Sequence, residues 1–174
     1  MPFTLCSAYR RAVTCSAIAP STAPIIAADV LRGVCRLLVR SGIAPLAEVP
    51  LACGRRADIV GIDPQGRLTL IEIKVSLADL RGDRKWPEYL DFCDRYFWAV
   101  PAGFPLGDFE TADFQPYRTG IIVADRFDAE ELRPAPWVLL NPARRKAETL
   151  RFARRAALRV MTARDPDAMV PLAD

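Results

Sequence analysis

The sequence predicts an α/β domain: a central mixed β-sheet flanked by helices. Three observations lead there. Short apolar runs bounded by turn residues recur between residues 43 and 125. Patterns of helical spacing stand before and after them. The chain has 174 residues, 51% hydrophobic and 26% charged, which suits one domain with its own core.

Residues 1–24 are rich in Pro, Ser and Ala and carry no periodicity. They read as a disordered extension rather than a secretory signal, because Thr14 and Ser16 interrupt a short apolar patch. Ser21 or Thr22 is placed to cap a helix from about Pro24 to Ser41, with Ile26, Val30, Val34, Leu37 and Leu38 along one stripe. Gly42 is the expected terminator. Ile43–Cys53 reads as a first strand, and Pro45 and Pro50 mark it as an edge. Ala57–Ile62 and Leu68–Val75 are the second and third, joined by the turn Asp63–Arg67. A helix is expected over Arg84–Tyr96, with Trp86, Leu90, Cys93 and Phe97 as its stripe. Tyr96–Val100, Thr119–Asp125 and Trp137–Leu140 are the remaining strands. Asn141 caps a long helix from Pro142 to about Arg164, with Leu150, Ala153, Ala157, Leu158 and Met161 as its buried stripe. The domain therefore runs from 25 to 165, followed by a flexible tail over 166–174.

Composition narrows the chemistry. The chain has no histidine, which excludes Ser-His-Asp and Cys-His catalysis and His-ligated zinc. Its five cysteines are widely spaced and form no CxxC pair, which fits the reduced thiols of a cytosol. No apolar run is long enough for a membrane span, so no membrane association is expected. The net charge of +3 is too small by itself to indicate a polyanionic partner.

The third strand, "LTLIEIKV", holds Glu72 and Lys74 among apolar neighbours. Side chains alternate faces along a strand, so Leu68, Leu70, Glu72 and Lys74 share one face. Asp58, Val60 and Ile62 share a face of the preceding strand. A hairpin with Ile62 opposite Leu68 sets Asp58 opposite Glu72, with Cβ atoms about 5 Å apart. Two half-buried carboxylates that close repel unless a cation lies between them. Lys74 supplies part of that charge and a divalent ion the rest. Mg²⁺ suits one or two carboxylates with several waters, and Mn²⁺ is a plausible substitute. Asp58 and Glu72 are the expected ligands, with the backbone carbonyl of Ile73 completing the set. Such a site supports phosphodiester hydrolysis, with Lys74 orienting water or neutralising developing charge. An isolated Glu-x-Lys more often marks a solvated edge, but the apolar flanks and the matched parity of Asp58 argue against that here.

This constellation resembles the PD-(D/E)XK nuclease superfamily, with Ala57-Asp58 followed by Glu72-Ile73-Lys74 and alanine in place of the proline of its name. Longer stretches, among them "EVPLACGRRADIVGID", "IEIKVSLADLRGDRKWPEYLDFCDRYFWAVP" and "NPARRKAETLRFARRAALR", resemble the MmcB family of DNA-repair endonucleases. The resemblance implies a restriction-endonuclease-like core, a bacterial cytoplasmic protein associated with the nucleoid, DNA as partner, and dimerisation as an option. No haem or nucleotide cofactor is expected.

Other residues join the candidate set. Lys85 and Tyr89 are four apart, which on an α-helix gives them a shared face, and they resemble the Gln-x-x-x-Tyr element of RecB-like nucleases. Glu48, on the first strand, is a candidate accessory carboxylate, since the first helix offers only Asp29. Arg55 and Arg56 precede Asp58 and are read either as phosphate contacts or simply as loop charges. Arg151, Arg154 and Arg155 belong to a lopsidedly basic last helix, expected to contact phosphates or the acidic segment Asp125–Glu131. A non-catalytic nucleic-acid-binding module and a nuclease acting on RNA are the rival readings.

Overall fold

Six strands pair in chain order into one sheet: β1 (Ala44–Pro50), β2 (Arg56–Ile62), β3 (Leu68–Ile73), β4 (Arg95–Pro101), β5 (Thr119–Ala124) and β6 (Ala129–Arg133). The computed structural model describes residues 23–167. Ser21 and Thr22, and nearly all of the N-terminal extension, lie outside these. β1–β2, β2–β3 and β5–β6 are antiparallel, whereas β3–β4 and β4–β5 are parallel. Parallel neighbours need a crossover. The one between β3 and β4 lays a short helix, α2 (Leu77–Gly82), and a 3₁₀ helix (Trp86–Phe92) beside the sheet.

The strand parity seen in the sequence sorts the core. On one face Ile59, Ile71, Phe97, Ala99 and Ile122 pack against Val30, Val34 and Leu38 of α1 (Ala27–Arg40). Gly33 lets α1 approach the β5–β6 turn, since a Cβ there would lie 2.5 Å from the Asp128 carbonyl oxygen. On the other face Val60, Leu68, Leu70, Tyr96 and Trp98 meet an aromatic layer of Trp86, Tyr89, Phe109 and Phe114.

Three expectations need correction. The Arg84–Tyr96 helix is the shorter 3₁₀ segment, and α2 precedes it, started by Ser76 Oγ accepting the Asp79 amide. Trp137–Leu140 is not a strand. Pro134 and Pro136 remove backbone donors ahead of it, and the Val138 and Leu140 amides bond to Asp94 instead. The sixth strand is β6, entered through Asp125, whose Oδ1 accepts the Phe127 and Asp128 amides and reverses the chain. The last helix, α3 (Pro142–Arg164), has the expected span and Asn141 cap but not the expected buried stripe. Glu148 and Phe152 are buried, whereas Leu150 is 61% and Met161 52% exposed.

Beside Phe152 the inner face of α3 carries polar groups, because the fold supplies acceptors for its arginines. Arg145 bonds Asp94, a fully buried carboxylate that also accepts the Leu68 amide (2.7 Å) and the Leu140 amide (2.7 Å). Arg144 lies over the Phe92 ring. Arg159 donates to the carbonyls of Ala47 and Glu48 in β1. That strand is an edge of the sheet, as its prolines predict.

Candidate functional site

The hairpin of β2 and β3 has the register its sequence predicts: Ile62 faces Leu68, Val60 faces Leu70 and Ile59 faces Ile71. One step further the paired ladder gives way to the acids. The Asp58 amide donates to Glu72 Oε1 (3.2 Å), and the Ile73 amide donates to Asp58 Oδ2 (2.7 Å). Each carboxylate is thus pinned by the opposite strand, on the sheet face that carries Val60 and Leu70. Ile73 faces Asp58 with its amide, and that contact says nothing of a ligand role for its carbonyl.

Burial sets the electrostatics. Glu72 is 4% exposed. Burial first, and the charge of Asp58 second, push its carboxyl up to about 8, against the opposing pull of Lys74 and the Asp58 amide. Asp58 is also raised, by burial, despite the Ile73 amide and Lys74. Lys74 is buried as well. Burial works against its charge, but the hydrogen bond and the charge of Asp83 outweigh this and hold the amine above its ordinary value. Lys74 Nζ lies 2.8 Å from Asp83 Oδ2 and 3.8 Å from Asp79 Oδ1. Trp98 stands opposite Glu72 in the neighbouring strand. Its indole N–H and the Tyr96 hydroxyl are buried with no hydrogen-bond partner among the described residues.

Glu48 completes a row of three acids across β1, β2 and β3. Ala47 faces Ile59 and Val49 faces Ala57, so Glu48 stands level with Asp58, but it drops out of the ladder with φ +50°. A positive φ at a residue other than glycine is strained, and such strain gathers at functional sites. The Glu48 carboxylate is exposed and lies 4.0 Å from Arg56.

Lys85 and Tyr89 do not pair as expected. A 3₁₀ helix turns about 120° per residue, so positions four apart diverge. The Tyr89 hydroxyl donates to the Arg56 carbonyl (3.3 Å). Burial, then the charges of Glu72, Asp83 and Asp58, raise its pKa well above the ordinary value. Lys85 is exposed, with its amide on Asp83 Oδ1. Arg55 is engaged by Glu88 through two hydrogen bonds, of 2.7 and 3.0 Å. Arg56 is exposed at the rim.

On α3, Arg151 pairs with Glu148 (2.7 Å). Arg154 is exposed and Arg155 half-buried, in the turns next to the Arg159 anchor on β1. The acidic segment 125–131 draws Arg40 of α1 (2.6 Å to Asp128) and Arg95 of β4 (3.3 Å to Glu131) rather than α3. Asp29 is spent on capping α1, where it accepts the Ile26 amide. The sequence reads Asp79 and Asp83 as capping and turn residues, with Asp83 the likelier to touch the site, and Asp83 does reach Lys74. Arg159, read with the basic face of the last helix, is instead turned onto the carbonyls of β1.

Among the described residues no three Asp, Glu or Cys side chains are gathered into a metal-holding group. Two carboxylates suffice for Mg²⁺, which keeps most of its waters. Asp58 and Glu72 fit that role. Each uses an oxygen on a backbone amide, and burial makes their joint ionisation costly without a cation.

The comparisons agree with this architecture. A solved structure, a protein of unknown function from Silicibacter pomeroyi, is 41% identical, with a TM-score of 0.72, over 83% of this chain and 94% of that one. No curated protein matches. The family model described as DNA repair protein MmcB-like matches residues 16–167. With the match spanning every strand and helix described above, the chain belongs to the MmcB-like family of DNA repair proteins.

Proposed function

We propose that the protein is a Mg²⁺-dependent DNA endonuclease of the PD-(D/E)XK kind, acting in DNA repair in the bacterial cytoplasm. The observation that carries this is the pair Asp58 and Glu72, opposed across one hairpin, with Glu72 buried and Asp58 half-buried, and with Lys74 two residues along. Asp58 and Glu72 would hold the ion, with the Ile73 carbonyl as a further ligand. Bound there, it would polarise the scissile phosphate and lower the pKa of a bound water. Lys74 carries its charge at 6% exposure, where a fixed cation acts on a developing negative charge far more strongly than it would in water. Arg56 and Lys85 are exposed, and they would meet the phosphates flanking the cut. Arg154 and Arg155 extend that basic rim along α3, beyond the β1 edge.

The test is a panel of nicked, flapped, branched and crosslinked DNAs, with an RNA control, incubated with wild type and Asp58→Asn in Mg²⁺ and in EDTA. Wild-type cleavage that needs the metal and is lost in the variant supports the reading. The scaffold alternative draws on the engagement of Lys74 by Asp83. It requires tight DNA binding that ignores metal and variant alike, with no cleavage.

The basic helix adds an expectation of its own. Arg154→Ser with Arg155→Ser should flatten the slope of log affinity against log salt by up to about two units on duplex DNA, since each phosphate contact contributes about 0.9. Affinity should fall equally for all sequences, because phosphate contacts carry no base information. Arg151→Ser should move the slope little, because Arg151 is held by Glu148. Affinity titrations across a salt series check both.

A further inference from the structure

Lys74 is fixed from outside the hairpin. A lysine projecting from a strand end has four rotatable bonds and many rotamers, and holding one of them costs entropy. Here the chain beyond β3 folds back to fix it. Ser76 Oγ caps α2 through the Asp79 amide (3.1 Å), and Leu80 anchors that helix in the core. Asp83 closes α2, its amide on the Leu80 carbonyl (3.3 Å). Both oxygens of Asp83 are used: Oδ1 accepts the Lys85 amide (3.3 Å) and Oδ2 accepts from Lys74 Nζ (2.8 Å). The carboxylate is therefore a fixed object rather than a mobile counter-ion, and at 17% side-chain exposure it is shielded from solvent.

We propose that Asp83 is a positioning residue for Lys74, holding the ammonium in one geometry on the acid face of the sheet. This rests on the nuclease reading above. Positioning costs nothing at the moment of reaction if it is built in beforehand, and a displacement of about 1 Å in such a group can cost a factor of about 10² in rate. The hydrogen bond to a charged partner supplies the direction.

The test uses Asp83→Ala, Asp83→Asn and, should the alanine variant not fold, Asp83→Ser, whose hydroxyl cannot reach Nζ. Asp83→Ala or Asp83→Ser should lower kcat on a cleaved DNA by about 10- to 100-fold, leaving KM and the Mg²⁺ affinity within about twofold. Asp83→Asn keeps an acceptor at the same place and should restore most of the rate. Independently of activity, the Lys74 NH₃⁺ resonance in a ¹⁵N-lysine NMR spectrum should be sharp in wild type and Asp83→Asn and broadened beyond detection in Asp83→Ala. An active wild type with an equally fast Asp83→Ala, or an unchanged Lys74 resonance in that variant, overturns the proposal alone. A fall in Mg²⁺ affinity or a rise in KM matching the loss in kcat overturns it too, by making Asp83 structural. A wild type that cleaves none of the substrates overturns the nuclease reading, and the positioning role in hydrolysis with it.

Discussion

Glu72→Gln should abolish Mg²⁺ binding and, in the metal-free protein, flatten the dependence of stability on pH. The folded protein holds the Glu72 proton up to about 8, against an ordinary value of 4.5. Between those values the folded state binds a proton that the unfolded state has released. The stabilisation from Glu72 is therefore complete below about pH 4.5 and is lost as pH rises through about 8. Within the window the loss runs at up to about 1.4 kcal/mol per pH unit. Glutamine keeps the shape and an acceptor for the Asp58 amide but has no proton to lose. Urea denaturation in EDTA at a series of pH values should show wild type falling across the window and the variant falling much less, with only the raised carboxyl of Asp58 left to titrate. At pH 8 the variant should be as stable as wild type or more so. A variant clearly weaker there would make Glu72 a structural partner of Lys74. Adding Mg²⁺ at about 100 times its dissociation constant should restore about 2.7 kcal/mol to wild type and nothing to the variant.

Asp94→Ala should be the most damaging single change to the fold. Its carboxylate receives Leu68 of β3, Leu140 of the connector and Arg145 of α3. Removing it strands a guanidinium and orphans one buried and one half-buried amide, at a cost of about 3–5 kcal/mol. Denaturant unfolding measures this directly, and a loss below about 1 kcal/mol would mean that water replaces the carboxylate. Asp94→Asn should fall between, since it keeps acceptor capacity for one amide but not the charge facing Arg145.

The hairpin was readable because its rule is local. Period-two alternation and a Pro-Gln-Gly turn fix the register, and register alone places Asp58 against Glu72. The misreadings have physical causes. β6 is Ala-Glu-Glu-Leu-Arg with only Ala129 buried, so it offers no alternation to detect. Trp137–Leu140 is apolar enough for a strand, yet its amides serve Asp94. In α3 Leu150, Ala153, Ala157 and Met161 are exposed, while its arginines find acceptors at Asp94 and at Ala47, remote in sequence. The fold of Asp83 over Lys74 was half visible, since nothing local says which way a six-residue helix turns back.

The two margins of the sheet bear on how the protein behaves when crowded. An uncovered strand is a template on which another chain can grow, the usual first step toward aggregation. β1 is poorly suited to that. Pro45 and Pro50 lack amide hydrogens, Glu48 turns out of the ladder, and Arg159 occupies the carbonyls of Ala47 and Glu48. β6 sets the adjacent charges of Glu130 and Glu131 on the opposite margin. Strand-to-strand polymerisation is discouraged at both ends. The Arg159 contact that steadies the strained acid beside the site thus also keeps copies of the chain from zipping together.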